Sequence, residues 1–112
     1  MSAYIFVEPR DPLNAEEVLH FYAFALGLAR DRHPVMLFLL GDGVLAASRT
    51  DSWVLLGELL EAGVEILADR GSLSQRAIEA AALPSGVRLA TIEVVFDELA
   101  AGRTIIWQRA AA

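Results

Sequence analysis

The chain contains no cysteine and no lysine. Without cysteine there is no disulfide framework, no thiolate metal site and no cysteine nucleophile. Without lysine every cation is an arginine, and the nine are scattered: Arg10, Arg30, Arg32, Arg49, Arg70, Arg76, Arg88, Arg103 and Arg109. They face 15 acids, for a net charge of −6. A nucleic-acid partner requires a concentrated basic face that releases phosphate counterions, so nucleic acid is not an expected partner. No apolar run approaches the roughly 18 residues of a membrane-spanning helix, so no membrane partner is expected. The opening Met1-Ser2-Ala3-Tyr4-Ile5 lacks the basic region of a signal or transit peptide, which makes a cytoplasmic location the expectation. Neither G-x-G-x-x-G nor G-x-x-x-x-G-K-[ST] occurs, and no motif calls for a cofactor.

What is present is apolar. Hydrophobic residues make up 55% of 112 residues, above the usual share for a globular chain, and the length suits a single domain over residues 1–112. Excess apolar surface without a membrane span suggests contacts between subunits.

The dominant stretch is Val35-Met36-Leu37-Phe38-Leu39-Leu40, which stops at Gly41-Asp42-Gly43. A short unbroken apolar run ended by turn residues reads as a strand buried on both faces. The carboxyl ends of such strands are where open α/β sheets bind ligands. Around it, Ala3 to Val7 reads as a strand broken by Pro9 and Pro12. Asn14 and Glu17 have capping-box spacing before a helix from Ala15 to Asp31, which Pro34 ends. A short helix from Val44 to Ser48 follows the Gly-Asp-Gly turn. Thr50, Asp51 and Ser52 are cap candidates for a helix from Trp53 to Ala62, closed by Gly63. Val64 to Ala68 reads as the third strand. Ser72 and Gln75 suggest a capped helix from Leu73 to Ala82, broken by Pro84-Ser85-Gly86. Val87 to Ala90 is a weaker strand, and Thr91 to Ala101 favours a helix closed by Gly102. Thr104 to Gln108 is the last strand. Alternating strands and helices predict a three-layer α/β/α sandwich on a mostly parallel sheet of about five strands.

The order of "VMLFLLGDGVLAA", "LLEAGVEILADRGSLSQRAI" and the terminal "RTIIW" resembles the DsrE/DsrF/DsrH-like family, which includes the sulfur-relay (Tus-type) proteins. The resemblance covers nearly the whole chain and is most specific over Phe38 to Val44 and Gly63 to Ile78. It implies a small α/β domain that assembles into trimers or hexamers, homomeric or mixed, in contact with a sulfur carrier. Active members hold a persulfide on a cysteine in the loop after the third strand, a place that falls near Asp69 here. A persulfide needs a thiolate sulfur, so that role does not carry over to any residue of this chain. The resemblance therefore implies a non-catalytic companion subunit.

Six residues form the candidate partner- or ligand-binding set: Glu8, Arg10, Asp42, Gly43, Asp69 and Arg70, all at predicted strand ends. Each has a plainer reading. Asp42 suits a cap for the helix near Val44, and Asp69-Arg70 suits a solvated turn. Ser72 reads as a cap, since it lacks a nucleophile-elbow pattern. His20 and His33 read as structural, and Trp53 and Trp107 as core or interface anchors. No residue is assigned a catalytic or metal-ligating role. An alternative is a small-molecule or metal-ion binding protein on the same fold, with Glu8, Asp42 and Asp69 supplying hard oxygen ligands. An enzyme using carboxylate acid–base chemistry is the third reading.

Overall fold

The computed structural model describes residues 2–13 and 15–107. Five strands run β1 (Tyr4–Glu8), β2 (Val35–Leu39), β3 (Glu65–Asp69), β4 (Val87–Ala90) and β5 (Thr104–Trp107). The helices are α1 (Glu17–Arg30), α2 (Leu45–Ser48), α3 (Trp53–Glu61), α4 (Arg70–Gln75) and α5 (Glu93–Ala100). All strands pair in parallel in the order β4-β3-β2-β1-β5. This is the expected α/β fold.

Every residue of β2 is buried, as its unbroken apolar run requires of a central strand covered on both sides. Alternate residues feed two cores. Phe6, Leu37, Leu39, Ile66 and Ala68 meet Val18, Phe21 and Ala25 of α1 and Leu56 and Leu59 of α3. Ile5, Val7, Met36, Phe38 and Leu67 meet Val95 of α5 on the opposite face. The layers are thus unequal, with α1, α3 and α4 on one face and α5 on the other. Strand progression moves from β1 through β4 and then reverses to place β5 on the far side of β1. A constant crossover hand requires the covering helix to change faces at that reversal, and α5 does so. The switch point of the sheet therefore lies at the carboxyl ends of β1 and β5.

Four helices end in the same way. After α1, α3, α4 and α5 the chain enters left-handed geometry at Arg32 (φ 68°), Gly63 (φ 95°), Ala77 (φ 54°) and Gly102 (φ 99°). In each, the next amide reaches back to an orphan carbonyl: His33 to Leu28, Val64 to Leu59, Ile78 to Leu73 and Arg103 to Glu98. The closures at Gly63 and Gly102 match expectation.

Several local expectations are corrected. The helix after β3 is Arg70–Gln75, not Leu73 to Ala82. The early stop draws Ile78 back against the core that holds Leu73, and only a 3-10 turn forms over Ala80–Ala82. The cap of α4 is Asp69, whose carboxylate accepts from the Ser72 amide, so Ser72 is not the cap. Thr50, Asp51 and Ser52 make no side-chain cap. They form a 3-10 turn that runs directly into α3, and its backbone takes over that task. Asp42 makes no side-chain cap either; Gly41–Val44 is itself a 3-10 turn leading into α2. Asn14 and Gln108 lie outside the described residues. No helix among the described residues is long and apolar enough to cross a membrane.

Candidate functional site

Three strand ends meet on one edge of the sheet. Where β2 ends, Gly41 adopts φ +55° and Gly43 lies against the backbone after β1. A Cβ on Gly43 would stand 2.0 Å from the Glu8 carbonyl oxygen, so only glycine permits this approach. The same carbonyl accepts from the Leu40 amide at 3.1 Å. The end of β3 joins from the other side. The Gly41 amide donates to Ser72 Oγ at 2.8 Å, and that hydroxyl donates to Asp69 Oδ2 at 2.7 Å. The Ser72 amide donates to the same carboxylate oxygen at 2.8 Å. Arg76 then bridges back, donating from Nη2 to Asp42 Oδ1 at 2.8 Å and from Nη1 to the Ser72 carbonyl at 3.0 Å.

The β1 end is the buried part of this edge. Glu8 is the last residue of β1, on the face covered by α1, and is fully buried. Its Oε2 accepts from the Arg10 amide at 2.9 Å and stands 3.8 Å from Arg10 Nε. Burial pushes the Glu8 carboxyl up to about 7, against the opposing pull of the Arg10 amide and charge. Tyr22 of α1 is 4% exposed, and burial, then the nearby negative charges of Glu8 and Asp11, push its hydroxyl up. Asp11 is buried and bonded to Arg49 Nη1 at 2.6 Å. Glu17, at the start of α1, stands 3.8 Å from Arg10 Nη1 and is largely solvated.

The six expected residues therefore fall into two groups. Glu8, Arg10 and Gly43 share the buried β1 end. Asp42 and Asp69 belong to the network that ties β2 to α4, each engaged by its own partner. Arg70 is exposed, with no ion pair among the described residues. Glu8, Asp42 and Asp69 do not converge as a cation shell: among the described residues no group of three or more His, Asp or Glu side chains is placed to hold a metal. Sequence reasoning missed Tyr22, Asp11, Arg49 and Arg76. Tyr22 lies in the apolar stripe of α1 and reads as core. Arg49 and Arg76 gain meaning only from partners 38 and 34 residues away.

The other singled-out residues take plain places. His20 is exposed. His33 packs edge-on against Tyr4, with Nδ1 3.2 Å from the Ser2 carbonyl. Trp53 donates from Nε1 to the Ala47 carbonyl at 2.8 Å. Trp107 is 51% exposed on edge strand β5, near exposed Phe96 and Leu99 of α5 in the chain. Beside Arg70 lies an open cavity of about 390 Å³ lined by Leu73, Ile78, Glu79 and Leu89.

No family model matches this sequence, and no curated protein matches it. Its shape does match solved structures. The YchN protein of E. coli superposes with a TM-score of 0.84 at 19% identity, over 96% of this chain and 100% of that one. MTH1491 of Methanobacterium thermoautotrophicum, a protein of unknown function, gives 0.81 at 19% identity over the same shares. BT1422 of Bacteroides thetaiotaomicron, also of unknown function, gives 0.73 at 17% identity over 96% and 95%. The chain shares the α/β fold of these three proteins.

Proposed function

We propose that the chain is a non-catalytic subunit of the DsrE-like class that binds or assembles with sulfur-relay proteins and performs no persulfide chemistry of its own. One observation carries this reading. By the resemblance, the place after β3 where active members carry sulfur falls near Asp69, whose Oδ2 accepts from both the amide and the hydroxyl of Ser72. A carboxylate committed to capping α4 builds the loop but offers no nucleophile. Next to it, exposed Arg70 is the side chain free to meet a partner. The apolar side chains Phe96, Leu99 and Trp107 supply surface for an oligomer, homomeric or mixed.

The test is native mass spectrometry of the tagged chain isolated from its own cells. A mixed trimer or hexamer containing cysteine-bearing sister chains, or a complex with a persulfide-bearing carrier, is expected. Arg70→Ala should weaken the complex with the carrier and leave the fold intact. A homomer that never captures a thiol-bearing chain would overturn the reading.

A further inference from the structure

The open cavity beside Arg70 lies at the carboxyl edge of the sheet, where β3 passes into α4 and β4 runs alongside. Its volume of about 390 Å³ falls within the roughly 300–1,000 Å³ of small-molecule sites. Its wall is aliphatic: Leu73 is buried, and Ile78 and Leu89 are half-buried against the same core. The chain leaves α4 through Ala77 at φ 54°, the step that brings Ile78 back beside Leu73. Two opposite charges also line the cavity, Arg70 and Glu79, both exposed. Among the described residues neither makes an ion pair or a side-chain hydrogen bond, with the other or elsewhere. Local structure accounts for neither. Arg70 is the first residue of α4, where a cation opposes the helix dipole. Glu79 stands before the 3-10 turn Ala80–Ala82 but makes no side-chain cap.

We propose that this cavity binds a small aliphatic zwitterion, a free amino acid or a dipeptide. Arg70 takes the carboxylate, which a guanidinium grips through two parallel bonds. Glu79 takes the ammonium group, and Leu73, Ile78 and Leu89 hold the side chain. Other charge patterns fit less well. A phosphate or a diacid meets Glu79 with like charge, and a diamine meets Arg70 in the same way. A neutral apolar ligand leaves both charges unused. Because both charges are solvent-exposed, each ionic contact is weak, and affinity on the order of millimolar is expected. Arg70 is shared with the proposed partner surface, but the ligand here is small and free, so this site does not depend on the role assigned to that surface.

Nuclear magnetic resonance titration of the nitrogen-15-labelled full chain at pH 7 tests this, with leucine and leucyl-leucine as probes. No carrier protein is present, so the outcome is independent of the proposed assembly. Saturable shifts of the Ile78, Glu79 and Leu89 amides are expected with at least one probe, and which one distinguishes amino acid from dipeptide. The N-acetylated and C-amidated forms of that probe keep the side chains and lose one charge each. Each should bind about tenfold more weakly. Arg70→Gln should weaken the zwitterion by a similar factor but leave the C-amidated form unchanged. Glu79→Gln should weaken the zwitterion and leave the N-acetylated form unchanged. If neither probe shifts these amides, the proposal fails. If the N-acetylated form binds as well as the zwitterion and Glu79→Gln has no effect, the cavity is a plain carboxylate site and the proposal is overturned. Binding that ignores both substitutions would place the ligand elsewhere and overturn it equally.

Discussion

Gly43 and Glu8 are joined by an absent side chain: the α-carbon of one lies so close to the carbonyl of the other that a methyl group would stand 2.0 Å from the oxygen. That approach locks the loop after β2 onto the end of β1, and so places Asp42 and the buried Glu8 along one edge. Gly43→Ala must push two backbones apart and should cost at least about 2 kcal/mol by urea denaturation. Gly27, within α1, has nothing within 4 Å of its missing Cβ. Gly27→Ala should stabilise by about 0.5–1 kcal/mol. Equal effects of the two changes would mean the close approach does not persist in solution.

Arg32 and Ala77 hold left-handed geometry that glycine adopts freely, at φ 68° and 54°. Left-handed backbone costs an ordinary residue roughly 1–2 kcal/mol, partly offset by its smaller entropy loss on folding. Arg32→Gly should therefore raise stability by up to about 1 kcal/mol. Gly63→Ala, at φ 95°, should lower it by a similar amount. A destabilised Arg32→Gly protein would show that the arginine side chain matters more than its backbone.

The parallel sheet was legible because its signals are local: the all-buried run of β2, the glycine stops at Gly63 and Gly102, the prolines after β1. The site was legible only in part. Its positions follow from strand ends, so Glu8, Arg10, Asp42, Gly43, Asp69 and Arg70 could be named. Their roles depend on what the fold brings near. Asp69 looked like a turn residue and is a helix cap. Asp42 looked like a cap and is held by Arg76, 34 residues away. Tyr22 sits in an apolar stripe, and nothing in its spacing shows that its hydroxyl ends beside a buried carboxyl. Sheet order was equally hidden, and with it the switch point, because the reversal at β5 is a choice between two edges that no local pattern records.

Asp69 and Arg70 are adjacent but predict opposite outcomes. Asp69→Ala removes the cap of α4 and the acceptor for the Ser72 hydroxyl, and should cost about 1–2 kcal/mol. Arg70→Ala removes an exposed side chain with no ion pair among the described residues and should stay within about 0.5 kcal/mol of the wild type. Only Arg70→Ala is then a clean probe of partner binding. Unfolding curves of the two variants, measured before any binding assay, decide this; a neutral Asp69→Ala would remove the structural account of why a carboxylate stands there.

The buried Glu8 carboxyl sets a pH dependence of unusual sign. Its pKa is about 7 folded against 4.5 as a free group, so between those values the folded state binds more protons than the unfolded one. Stability contributed by Glu8 is therefore full below about pH 4.5 and is lost as pH rises through about 7. The whole shift corresponds to roughly 3 kcal/mol. Glutamine at this position keeps an oxygen to accept the Arg10 amide but has no proton to lose. The difference in unfolding free energy between Glu8→Gln and wild type cancels the other titrating groups. That difference should move in favour of the variant by about 3 kcal/mol between pH 4 and pH 8. Parallel curves across that range would mean that the folded carboxyl titrates like the free group, the cost of its burial fully matched by Arg10.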